Sequence, residues 1–178
     1  MTRKKCFTIA MSVLAIGVLI FLDQWTKILM QRMLSDGPIP VIPKVLEFYY
    51  VENTGAAFNI MNNQRTIFLI VAAIAVVFCL YALVRIADTD KDAEKREIGS
   101  VWIFRIFLIL IVSGAVGNAI DRALNGFVVD FIHVLFIEFP VFNVADCYVT
   151  VGCILLIVFS IFRKGTLEDI ERSLKSRG

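Results

Sequence analysis

The chain has 178 residues, of which 58% are hydrophobic and 19% charged, and its net charge is +2. A soluble domain is about 45–50% apolar and about 25% charged. The composition therefore excludes an ordinary soluble globule, which could not hide this much apolar surface, and a disordered chain as well. The small net charge leaves no electrostatic footprint for nucleic acid, and none is expected as a partner.

Four stretches nearly free of charge predict four membrane-spanning helices, because crossing the hydrocarbon takes about 20 apolar residues. The first, Cys6 to Leu22, follows Arg3-Lys4-Lys5 and continues past Asp23 through Ile28-Leu29-Met30. Its basic start and apolar run imitate a secretion signal, but Asp-Gln-Trp-Thr-Lys follows instead of a small-residue cleavage site, so it reads as a retained anchor. The second is Thr66 to Val84. The third is Ile98 to Ile120, interrupted by Arg105, and the fourth is Phe139 to Phe162, interrupted by Asp146. The expectation is a single integral membrane domain over 1–178, with helices at about 7–30, 66–86, 98–120 and 143–163. Lipid forces the backbone to satisfy its own hydrogen bonds, which makes these segments helical.

The two outer segments, about 31–65 and 121–142, have a different character. Ser35-Asp36-Gly37-Pro38, Pro40 and Pro43 read as a turn region. Val45–Val51 and Phe127–Val134 are β-branched and aromatic runs that predict paired strands forming a small cradle beside the bundle. Phe48, Phe58, Phe127, Phe131, Phe136, Phe139 and Phe142 lie in or beside these segments, and such a layer is expected to rest in the membrane interface. The fold class is thus all-α membrane with a small β element. Asp88–Glu97 and Arg163–Gly178 read as solvated charged surface. With both termini cytoplasmic, twelve basic residues fall inside and five outside, so the positive-inside bias fixes that orientation. Cys6, Cys79, Cys147 and Cys153 form no C-x-x-C and read as small buried hydrophobes.

Polar residues in lipid are costly, so their positions carry information. At about 1.5 Å per helical residue, Asp23, Asn118 and Asp146 reach one level near the outer boundary, where the outer segments also deliver Asn53 and Asp130. Asp23 and Lys27 stand at i, i+4, the spacing of an ion pair. Asn118, Asp121 and Arg122 stand at i, i+3, i+4 and share a helix face, as Asn143 and Asp146 are expected to share another. Gly114 and Gly117 admit a close neighbouring helix. Asp23–Lys27 and Asp121–Arg122 fit structural ion pairs. Asp130 and Asp146 have no basic neighbour within four residues, and spacing alone leaves open whether they are structural or functional. Two carboxylates brought close cannot both ionise cheaply. The charged one can then take a proton from water while the neutral one donates to a carbonyl, which is amide hydrolysis without metal or cofactor. Which aspartate holds the proton is left open.

The motifs Asp23-Gln24-Trp25-Thr26-Lys27, Asn53-Thr54-Gly55-Ala56-Ala57-Phe58, Gly114-Ala115-Val116-Gly117-Asn118-Ala119-Ile120-Asp121-Arg122, Val129-Asp130-Phe131 and Phe142-Asn143-Val144-Ala145-Asp146 occur in this order. Together they resemble the lipoprotein signal peptidases (signal peptidase II) of the bacterial cytoplasmic membrane. The resemblance implies a catalytic dyad of Asp130 and Asp146. It implies supporting or substrate-binding roles for Asp23, Lys27, Asn53, Gly55, Asn118, Asp121, Arg122 and Asn143. The implied substrate is a diacylglyceryl-modified prolipoprotein, cut just before its lipidated cysteine near the outer face of the membrane. The implied partners are that substrate and membrane lipids, with globomycin as an inhibitor and a monomer as the working form. Cys147 departs from the small polar residue expected after the second aspartate. Three rival readings remain. One is a metalloprotease built on Asp130, His133 and Glu138, although the chain has a single histidine. Another is a thiol oxidoreductase using Cys147 and Cys153. The third is a non-enzymatic transporter or scaffold with buried charges.

Overall fold

The structure, a computed structural model, describes residues 3–55, 65–86 and 95–162. Its elements in order are α1 (Arg3–Met33), β1 (Ile39–Ile42), β2 (Leu46–Asn53), α2 (Arg65–Ile86), α3 (Lys95–Leu124), β3 (Val128–Val134) and α4 (Val144–Phe162). All four helices are long and apolar enough to cross a membrane. Phe58, most of the Asp88–Glu97 hairpin and the tail from Arg163 lie outside the described residues.

Two helices run further than their charge-free stretches. α1 continues to Met33 and α3 to Leu124, because Lys27, Asp121 and Arg122 find partners inside the protein and need not mark a boundary. The actual stop signals are glycines. After α3, the Asn125 and Gly126 amides donate to the Asp121 and Arg122 carbonyls, and Gly126 has φ 85°. That is the left-handed cap for which glycine has no steric penalty. Gly37, with φ 125°, turns the chain out of α1.

α3 is the central helix and packs against α1, α2 and α4. Cys79, Leu83 and Ile86 of α2 interlock with Val101, Leu108 and Val112 of α3, while Ile74 and Phe78 on the far side of α2 are 66% and 70% exposed. Such apolar exposure has no place in water and fits a lipid-facing surface. Cys79 is buried as anticipated, but Cys6 is exposed, on the outward side of α1. A thiol facing lipid needs no packing partner.

The sheet is antiparallel with order β1-β2-β3. Val51 pairs with Asp130 and Asn53 with Val128, and a bulge lies between Phe48 and Val51. β1 includes Pro40, which the turn-rich sequence concealed. Proline is tolerated there because β1 is an edge strand. Phe48 and Phe131 meet edge to face, and Val129 and Phe131 pack with Leu34 and Met30 of α1. These rings therefore fasten the sheet to the bundle. Phe136 and Phe139 remain exposed.

Candidate active site

At the end of the bundle where α1 and α3 finish and α4 begins, three devices fix the polar side chains. The first is the start of α4. Asn143 precedes the helix, its side-chain oxygen accepts from the Asp146 amide at 3.0 Å, and Asp146 Oδ2 accepts from the Asn143 amide at 3.1 Å. This reciprocal arrangement is a capping box, with aspartate in the role usually held by glutamate. Asn143 and Asp146 are thus joined across a helix start, where the i, i+3 spacing had suggested a shared face. The box fixes Asp146 in the first turn, beside the positive end of the helix dipole.

The second device is the bend after β2. Asn53 Oδ1 accepts from the Gly55 amide at 2.9 Å, an Asx turn. Its Nδ2 donates to Asp130 Oδ2 at 2.8 Å. Arg122 donates to the Gly55 carbonyl at 3.1 Å and lies over the Phe68 ring at 4.8 Å.

The third is a buried charge cluster. Lys27 and Asp23 are 2% and 0% exposed. The Lys27 ammonium lies 2.9 Å from Asp23 and 3.1 Å from Asp121. Asp23 Oδ1 also accepts from the Ala145 amide, Asp121 Oδ2 from the Val129 amide, and Gln24 donates to Asp121 at 2.9 Å. Asp121 does not pair with Arg122 as its sequence neighbour suggested. Adjacent helical residues point about 100° apart, so one turns to α1 and the other to the cavity. The glycines make this packing possible. A Cβ at Gly117 would collide with the Asp23 carboxylate, and one at Gly114 with the Ala145 carbonyl.

Asp130 and Asp146 come together over this base. Asn143 Nδ2 donates to Asp130 Oδ1 at 2.6 Å, and Asn118 Nδ2 donates to Asp146 Oδ1 at 2.7 Å. Both aspartates line one cavity of about 480 Å³, with Asn53 and Arg122. Phe139, Pro140, Val141 and Phe142 form one apolar wall; Cys147, Thr150 and Val151 belong to α4. Asp23, Lys27, Gly55, Asn118, Asp121 and Asn143 stand behind this lining. Burial pushes the Asp130 carboxyl up to about 6; the Asn53 amide opposes this, the Asp146 charge adds to it, and the Asn143 amide and Lys27 cation oppose it.

One role escaped the sequence reading. Gln24 ties Asp23, Asp121 and the Gly117 carbonyl together, although the sequence marked it only as part of the first motif. Phe139 and Phe142 of the apolar wall belong to the aromatic outer layer read from the sequence. The grouping of Asp130 with His133 does not form. They are three apart on a strand and face opposite sides, and His133 pairs with Glu47 at 2.9 Å. Cys147 and Cys153 are both free thiols.

Residues 15–162 match the family model for signal peptidase (SPase) II. The chain is 45% identical over 152 residues to a lipoprotein signal peptidase of Clostridioides difficile (strain 630), covering 84% of this chain and 94% of the relative. It is 43% identical over 145 residues to one of Streptococcus thermophilus (strain CNRZ 1066), covering 81% and 88%. A solved structure described as a bacterial membrane enzyme, determined by the in meso method at 2.3 Å, superposes with a TM-score of 0.73 at 31% identity, covering 88% of this chain and 90% of that one. The chain therefore belongs to the signal peptidase II family, and its four apolar helices make it a multi-pass membrane peptidase that cleaves lipoprotein signal peptides.

Proposed function

We propose that Asp130 and Asp146 are the catalytic pair, and that the substrate is a prolipoprotein whose cysteine already carries a diacylglyceryl group. The observation that carries this reading is the shared cavity. Its polar end holds both aspartates, Asn53 and Arg122, and the rest of its lining is largely apolar. Asp130, the carboxyl raised by burial, holds the proton, and Asp146 acts as the base. Asp146 takes a proton from water as the water oxygen attacks the scissile carbonyl carbon, and Asp130 donates its proton to the carbonyl oxygen. Collapse of the tetrahedral adduct returns a proton to Asp130, the Asp146 proton passes to the leaving nitrogen, and the C–N bond breaks. Arg122 holds a backbone carbonyl of the substrate, and the Phe139–Phe142 wall keeps bulk water from the reaction. A globomycin-type cyclic peptide would compete for the same cavity.

The test is cleavage of a purified lipid-modified prolipoprotein, followed by gel shift. Asp130→Asn and Asp146→Asn should each insert and fold yet lose at least about 100-fold in turnover, since general acid–base catalysis is worth about 10²–10⁴. Normal turnover by either variant would refute the pair.

A further inference from the structure

Lys27 lies behind the cavity, yet its side chain reaches the pair through one intermediary. Its ammonium has three N–H donors. Asp23 Oδ2 lies at 2.9 Å, Asp121 Oδ2 at 3.1 Å and Asn118 Oδ1 at 2.9 Å, so each donor has its acceptor. An amide side chain has two chemically different ends, and a cation tolerates only the oxygen end. With Oδ1 held by Lys27, the Asn118 NH₂ is compelled to face Asp146 Oδ1, at 2.7 Å. Asn143 completes the lattice, because its Nδ2 donates both to Asn118 Oδ1 at 3.1 Å and to Asp130 Oδ1 at 2.6 Å.

We propose that Lys27 is a positioning residue for the aspartate pair: by pinning the Asn118 oxygen it sets the direction of the hydrogen-bond chain that ends on Asp146. This rests on the pair being catalytic. Asp23 and Asp121 have the complementary task of neutralising the cation, which leaves its direction-setting effect in place while tempering its field. A purely structural ion cluster would not need Asn118 among its partners, and would not care which end of that amide faces α4.

Charge and orientation are separable by mutation. The charged or titratable groups around the pair and the cluster behind it are Lys27 and Asp23 from α1, Asp121 and Arg122 from α3, Tyr50 from β2, and Cys147 and Tyr148 from α4. Among these, the Lys27 cation favours the ionised form of Asp130. Lys27→Gln should therefore move the basic limb of the kcat/KM pH profile, where the pair loses its working proton, upward. Asp121→Asn, which leaves the cation less compensated, should move it downward. The double variant Lys27→Gln/Asp121→Asn has the net charge of the wild type, so its limb should stay in place. Its kcat should still fall about 100-fold, the effect of a misplaced catalytic group, because the Asn118 oxygen then loses the ammonium and keeps only the longer bond from Asn143 Nδ2. Cleavage of the lipid-modified prolipoprotein is the readout, with thermal unfolding run in parallel to verify folding. Limbs that move together or not at all, or a double variant with wild-type kcat, overturn the proposal. Should Lys27→Gln fail to fold alone, the charge-balanced double variant and the Asp121→Asn limb decide. Turnover by Asp130→Asn would instead refute the pair reading beneath it, whatever the Lys27 variants do.

Discussion

Asn53 illustrates how a single amide tunes a buried carboxyl. It donates to Asp130 and so favours the ionised carboxylate, against the burial that favours the protonated one. A hydrogen bond to a charged group is worth about 1.5–3 kcal/mol, and one pKa unit corresponds to about 1.4 kcal/mol. Asn53→Ala should therefore raise the Asp130 pKa, and shift the basic limb of the pH–rate profile up by about one unit. An unmoved or lowered limb would show that Asp130 does not supply the proton. The sign for stability is the reverse of that for an ordinary paired aspartate. The folded protein binds this proton more tightly than the unfolded chain does, so the Asp130 contribution favours folding at low pH and is lost as pH rises from about 4 through about 6. At this scale the acidic residues were legible because a charge in an apolar run has to be explained. Their partners were less so. Asp121 sits next to Arg122 in the chain yet bonds to Lys27, 94 positions away. Asn143-x-x-Asp146 has the pattern of a capping box, but reading it requires knowing that the helix starts at Val144.

Elements meet here through small residues. Gly114 and Gly117 face the start of α4 and the Asp23 carboxylate with no room for a methyl group. Gly17, on the same scale of helix propensity, has nothing within 4 Å of where its Cβ would be. The three glycines therefore separate packing from propensity. Gly114→Ala should destabilise by about 1–3 kcal/mol, as forced overpacking does, and should lower activity because Ala145 and Asp146 are adjacent on α4. Gly17→Ala should be neutral, or stabilising by up to about 1 kcal/mol. Thermal unfolding in one detergent compares them, and equal effects at positions 17 and 114 would contradict the packing argument. The spans were legible as elements because lipid imposes both length and polarity. β2 and β3 were legible from their β-branched and aromatic content. β1 was hidden, since an edge strand with one proline and three exposed positions has neither a hydrophobic alternation nor a full set of donors.

At the scale of the molecule, the question is which way the active end faces. Asp23 and Lys27 late in α1, Asp121 late in α3 and Ala145 early in α4 are bonded to one another, and Arg122 lies over Phe68 early in α2. These contacts put the cavity and the sheet at one end of all four helices. Phe104 and Phe159 mark the opposite end. The fold itself has no inside or outside; the basic residues, twelve against five, lead us to propose that the cavity-bearing end faces outward. An exported substrate anchored by lipid would present its scissile bond at that depth. Replacing all four native cysteines and then introducing Ser35→Cys or Arg3→Cys, both at exposed positions at opposite ends of α1, tests the assignment. In intact cells a membrane-impermeant maleimide should label Ser35→Cys and leave Arg3→Cys unlabelled until the membrane is permeabilised. The cysteine-free background matters, because exposed Cys6 lies three residues from Arg3 and would report from the same end. The reverse labelling pattern would place the aspartates in the cytoplasm, on the wrong side for a substrate that has already been exported.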